Sequence, residues 1–179
     1  MKAVLASLKP YFYYLVGEGI KTIEVRKTSP KAVDWNKDTF FYMSRDEKSF
    51  AEIPKEFQEK YRKHFGKVGL RFVCDNILDY TLDPYGHHSY FISDDDFEST
   101  CLTFFEELWD YGKGKTLYGW HITDLVIYDK PRDLWRFCKP CDPHPECDCE
   151  YCITHGRSKS LQITRPPQSW CYCEEVNDV

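Results

Sequence analysis

A chain of 179 residues with a formal net charge of −5 is long enough to bury one core and reads as one domain over 1–179. Its acidity excludes a protein that coats long duplex nucleic acid through phosphates alone, but leaves room for a local basic face with a pocket. No apolar run approaches the ~18–20 residues that span a bilayer; the short apolar run at the N-terminus breaks at Lys9-Pro10 and reads as a first strand, not a signal peptide, so a cytoplasmic protein with no membrane partner is expected.

Residues 4–8 read as that strand, and Pro10 suits the first turn of a helix over 11–16, ended by Gly17 and Gly19. Residues 22–27 follow a period of two, with Ile23 and Val25 on one face and Thr22, Glu24 and Arg26 on the other. Residues 39–43 form an apolar strand of the buried kind. A charged helical insertion over about 46–65 carries Phe50, Ile53, Phe57, Tyr61 and Phe65 at helical spacing and is interrupted near Pro54. Residues 66–80 return to strand. Residues 81–99, with His87, His88 and Asp94 to Asp96, read as polar loop. Thr103 and Glu106 match a capping box, predicting a helix to about Tyr111 closed by Gly112. A strand over 118–128 with a tight bend at Gly119, a turn opened by Pro131 and a last strand over 170–176 complete the chain. Strands outnumber helices and no regular βαβ unit links them. The expected class is α+β, mostly β: a largely antiparallel, barrel-like sheet with short helices on the rim.

Three groups of residues carry chemistry. Glu24 and Arg26 share a strand face, and Lys21 stands at the strand mouth beside the flexible Gly19. A lysine there reaches a phosphate or, if buried, acts as a base; a salt bridge on an edge strand explains the same spacing. Tyr118, Trp120, His121 and Trp170 offer flat side chains for stacking a base, against which stands ordinary core packing. Trp120 and His121 are neighbours on a strand, so at most one lines a given pocket. Nine cysteines, five of them between positions 138 and 152, favour metal over disulfides in a cytosolic chain. Cys138, Cys141, Cys149 and Cys152 form two Cys-x-x-Cys pairs suited to a structural zinc ion, with Cys147, His144 and His155 as alternates, in a zinc loop over about 138–156. Cys74 and Cys101 read as small apolar fillers; Cys171 and Cys173 share one face of the last strand.

The run Gly19-x-Lys21-x-x-Glu24-x-Arg26 resembles the GxKxxExR signature of the ASCH domain family, related to the PUA domain. Ser7-Leu8-Lys9-Pro10, the segment from Gly119 to Leu125 with Tyr128-Asp129-Lys130-Pro131, and the segment from Pro166 to Tyr172 resemble phage- and prophage-type members. For a phage-encoded chain the location would be the host cytoplasm. The resemblance implies a PUA-like β-barrel with a cleft beside the motif strand, binding RNA or a modified nucleoside through Gly19, Lys21, Thr22, Glu24, Arg26, Trp120, His121 and Trp170. Some members resemble amidohydrolases that deacylate acetylated cytidine with a lysine matching Lys21 and a threonine nucleophile, whose place corresponds to Glu24 here. A carboxylate does not replace a hydroxyl nucleophile. Other relatives are ribonucleases, for which Lys21 and Glu24 are the catalytic candidates, with Arg26 and His121 beside them. A binding module is therefore the first reading, a hydrolase the second, and a scaffold for a protein partner the third.

Overall fold

The first strand is apolar on both faces, and this decides its place. In the computed structural model, which describes residues 2–32, 35–82, 90–140 and 162–175, β1 (Lys2–Leu8) lies inside a six-stranded sheet. Val4, Ala6 and Leu8 pack into one core cluster and Ala3 and Leu5 into another; a strand covered on both sides needs a continuous apolar run. β1 pairs in parallel with β3 (Trp35–Met43) and antiparallel with β9 (Trp170–Glu175). With β4 (Val68–Val73), β7 (Thr123–Arg132) and β8 (Phe137–Cys138) the strand order is β7-β4-β3-β1-β9-β8. A second sheet has the order β2-β6-β5, formed by β2 (Ile23–Arg26), β6 (Leu117–His121) and β5 (Ile77–Tyr80).

The larger sheet curls. Its two edge strands, β7 and β8, are joined by a single 3-10 turn at Leu134–Arg136, and Arg132 on β7 forms an ion pair with Glu175 on β9. Among the described residues the edges do not hydrogen-bond to each other, so the expected closed barrel is instead two open sheets. The strand expected over 66–80 is two strands, β4 and β5, in different sheets. The strand expected over 118–128 is likewise two, β6 and β7. Because β4 pairs with β7 and β5 with β6, these four form one antiparallel ribbon that passes from sheet to sheet. It turns at Ile122 and Asp124, whose φ is +47°, and not at Gly119. Gly119 lies inside β6, where a Cβ would sit 2.4 Å from the Tyr80 hydroxyl. β7 also runs through Pro131 as far as Arg132; a proline is tolerated on an edge strand.

Helices cover the sheet faces. α1 (Pro10–Gly17) opens with proline at its first turn. The insertion forms α2 (Glu47–Ala51), capped by the Asp46 carboxylate, which accepts from Ser49 N at 3.1 Å, and α3 (Lys55–Arg62), separated by Pro54. Where a loop was expected, Asp94–Thr100 is a helix, α4. Ser93 Oγ accepts from Asp96 N at 3.1 Å, and the three aspartates fill the first turn, where the helix dipole favours anions. α5 (Phe105–Gly112) starts one residue later than the capping box predicts. Phe104 is its N-cap, without a side-chain bond, and Glu107, not Glu106, accepts from Thr103 N at 3.1 Å. Among the described residues no helix is long and apolar enough to cross a membrane.

Candidate functional site

β2 is the edge strand of the small sheet, and a cleft of about 310 Å³ opens along it. Gly19, with φ +71°, turns the chain out of α1, and the amides of Ile20 and Lys21 bond back to Leu15 O at 2.9 and 3.0 Å. This turn delivers Lys21 to the cleft floor just before the strand begins. Two-residue alternation then places Glu24 and Arg26 on one face.

All three side chains are buried, between 3% and 7% exposed, and all three line the cleft. Glu24 sits between the cations: Oε2 lies 3.4 Å from Lys21 Nζ and Oε1 lies 3.0 Å from Arg26 Nη2. Lys21 Nζ also donates to Thr100 O at 2.5 Å and stands 5.3 Å from the centroid of Phe12. Burial pushes the Lys21 pKa below the ordinary lysine range, and the Glu24 carboxylate opposes that shift. The Arg26 guanidinium ties the sheets together, donating to Ser7 O at 2.8 Å on β1 and to Ser169 O at 3.2 Å beside β9. Two basic side chains thus flank one carboxylate on the floor. Leu8, Phe12, Val25 and Leu102 give the walls apolar surface, and Tyr111 and Glu107 of α5 form part of the rim. The arrangement suits a flat, partly polar ligand whose edge meets charged groups at the bottom.

The remaining sequence candidates fall elsewhere. Trp120 is the cross-strand partner of Glu24 but is fully buried against Trp35 and Trp170, at centroid distances of 5.9 and 6.0 Å, so it packs the core and does not line the cleft. His121 points to the opposite face of β6, as neighbours on a strand must, and its Nδ1 lies 2.7 Å from Asp75 Oδ1 on the surface. That contact lowers the Asp75 pKa. Trp170 donates from Nε1 to Thr28 Oγ1 at 2.9 Å and is absent from the cleft wall. Thr22 and Gly19 are also outside the lining: Thr22 N donates to Ser99 O at 3.1 Å, which ties β2 to α4. Of the metal candidates, Cys138 is fully buried in β8. Cys141, His144, Cys147, Cys149, Cys152 and His155 lie outside the described residues, as do His87 and His88. Among the described residues no group of three or more His, Cys, Asp or Glu is arranged to hold a metal.

Phe12 and Tyr111 were not legible as cleft residues. Phe12 lies in an aromatic run of four, 11–14, in which Tyr13 and Tyr14 are core, and Tyr111 reaches the site from a helix some ninety positions away along the chain.

No family model matches the chain, and no curated protein matches it. Among solved structures it resembles crystal structures of ASCH from Zymomonas mobilis. A tyrosine-to-phenylalanine mutant of that protein matches with TM-score 0.50 at 16% identity, over 96% of this chain and 90% of the other. The unmodified protein gives 0.48 at 17% identity, over 96% and 87%, and a serine-to-alanine mutant 0.49 at 16%, over 96% and 87%. The likeness is one of fold: a mixed α+β, sheet-dominated architecture with short helices.

Proposed function

We propose that the domain binds RNA or a modified nucleoside by taking one base into the cleft beside β2. The observation that carries this reading is the buried Lys21–Glu24–Arg26 floor under apolar walls. Buried ionic groups cost several kcal/mol each to desolvate (~ order of magnitude), and here they stand where a ligand edge can meet them. Arg26 engages Glu24 and the backbone of Ser7 and Ser169 through Nη1 and Nη2, so its role is to fix Glu24, while its buried Nε has no hydrogen-bond partner among the described residues. Glu24 accepts from a base amino group and Lys21 meets a carbonyl or phosphate oxygen. The fold shared with ASCH from Zymomonas mobilis is consistent with this reading.

Hydrolysis of an acylated nucleoside or of RNA is the second reading, favoured by the lowered Lys21 pKa. Against it, the aliphatic hydroxyl in the described cleft lining, Ser7, donates from Oγ to Pro167 O at 2.6 Å, and Thr22 is outside the lining. Titration of acetylcytidine and of a short single-stranded RNA, with turnover followed in the same samples, separates the readings. Binding without turnover that is lost in Lys21→Met supports the module. Turnover abolished by Lys21→Met and Glu24→Gln at unchanged fold makes the protein a hydrolase. No binding by the wild type leaves the scaffold. A structural zinc on Cys138, Cys141, Cys149 and Cys152 belongs to the same proposal on the strength of the doubled Cys-x-x-Cys spacing; metal analysis of the reduced protein, giving one zinc per chain or none, decides it.

A further inference from the structure

Tyr111 has no part in the sequence motif, yet its placement is the most constrained on the cleft rim. It stands in the last turn of α5, and that turn is pinned. Lys113 closes the helix in the left-handed conformation, φ +53°, with its N–H on Trp109 O at 2.8 Å. The Tyr90 hydroxyl fills the space beside Gly112 and donates to Lys115 O at 2.8 Å. On the β2 side, Lys27 Nζ lies 4.6 Å from the Tyr111 ring centroid, which holds the ring by a cation–π contact. The ring lines the cleft and is nevertheless 38% exposed. Burial raises the Tyr111 pKa, while Arg26 works the other way, so the hydroxyl keeps its proton at neutral pH. The other aromatic ring of the cleft, Phe12, is only partly exposed and is engaged by Lys21.

A large flat ring with a fixed backbone, a lysine across it and an open remainder facing a cleft is a stacking surface prepared before the ligand arrives. We infer that Tyr111 is the residue that stacks the ligand's heteroaromatic ring, with Lys27 as the positioning residue that holds it in place. This rests on the base-binding reading of the cleft. It makes the ring face, read by Tyr111, separate from the ring edge, read by Lys21 and Glu24. Ligand selection by shape and selection by polar pattern then come from different elements, α5 and β2.

The test measures binding of each of the four ribonucleosides to wild type, Tyr111→Leu, Tyr111→Phe and Tyr111→Trp, with urea midpoints to confirm equal stability. Loss of one stacking contact weakens the best-bound ribonucleoside about 5- to 150-fold in Tyr111→Leu, while Tyr111→Phe stays within about threefold of wild type. Tyr111→Trp retains binding and quenches on saturation by more than the five native tryptophans of the wild type do, as an indole stacked on the ligand requires. Wild-type affinity in Tyr111→Leu, alongside lost binding in Lys21→Met, overturns the stacking role and leaves the site reading intact. An equal loss in Tyr111→Phe and Tyr111→Leu also overturns it, because the hydroxyl and not the ring would then be the contact. A wild type that binds none of the four overturns the base-binding reading and the stacking role with it.

Discussion

His64 is 1% exposed and shares a hydrogen bond between its Nδ1 and the Tyr13 hydroxyl at 3.0 Å. Burial pushes its pKa down from the ordinary 6.5 to about 4, with Lys63 and Lys60 adding to the effect. The unfolded chain therefore takes up a proton on this residue as pH falls through 6.5, while the folded chain stays neutral until about 4. Stability should drop across that window by at most about 1.4 kcal/mol per pH unit from this group. Urea unfolding of His64→Gln at pH 7, 6 and 5 should show a shallower decline than wild type; parallel declines in the two proteins would rule the effect out. This residue was not legible as special, because nothing in sequence separates a buried histidine at a helix end from a solvated one. Lys21, Glu24 and Arg26 were legible as a set, since two-residue alternation fixes the facing of Glu24 and Arg26 whatever the tertiary structure. Trp120 and His121 show the limit: alternation says that they part company, but not that Trp120, opposite Glu24, packs into the core and lines no part of the cleft.

Elements with a strong internal period were the readable ones. α1, α2, α3 and α5 follow apolar spacing, caps and Pro54, all local signals. α4 was hidden because its three leading aspartates look like a solvated run until Ser93 is seen capping them. The passage of the long ribbon between sheets was hidden for a different reason: a strand that changes sheets keeps its alternation until the turn. Gly119 marks the consequence for β2. It pairs with Val25 on one side and Leu78 on the other, beneath the Tyr80 hydroxyl, and that hydroxyl is buried with no hydrogen-bond partner among the described residues. Gly119→Ala should cost about 1–3 kcal/mol by overpacking and should weaken ligand binding through displacement of β2. Adding Tyr80→Phe should restore part of both, since it removes the nearest atom in conflict, the hydroxyl at 2.4 Å, and leaves Cζ and Cε2 at 2.7 and 2.8 Å. Chemical denaturation of the two single variants and the double variant checks this; additive losses would contradict the contact.

At the scale of the molecule, the two sheets are coupled at the site itself. Arg26 belongs to the small sheet and bonds to Ser7 and Ser169, which flank the pairing of β1 with β9 in the large one. The expectation of one barrel came from counting strands; which strands pair is a long-range property with no local signature, so the division into two sheets could not be read in advance. Deleting residues 166–179 removes β9, unpairs one side of β1 and takes away the Ser169 contact. The shortened chain should lose cooperative unfolding and associate through the bared edge of β1. Circular dichroism melting and gel filtration give the answer, and a sharp melt with a monomeric elution volume would count against this account.

The pairing of the first strand with the last also sets a timetable. β1 is made long before its antiparallel neighbour β9, so the six-stranded sheet stays incomplete until residues 170–175 have been made. Closing so long a loop is entropically costly and slows folding. β2 and α1 are made before most of the large sheet, yet the carbonyl of Ser169 that helps anchor Arg26 follows 143 positions later. The cleft is thus assembled only after β9 is made, and a chain still lacking that strand would carry the motif residues without a site to hold them.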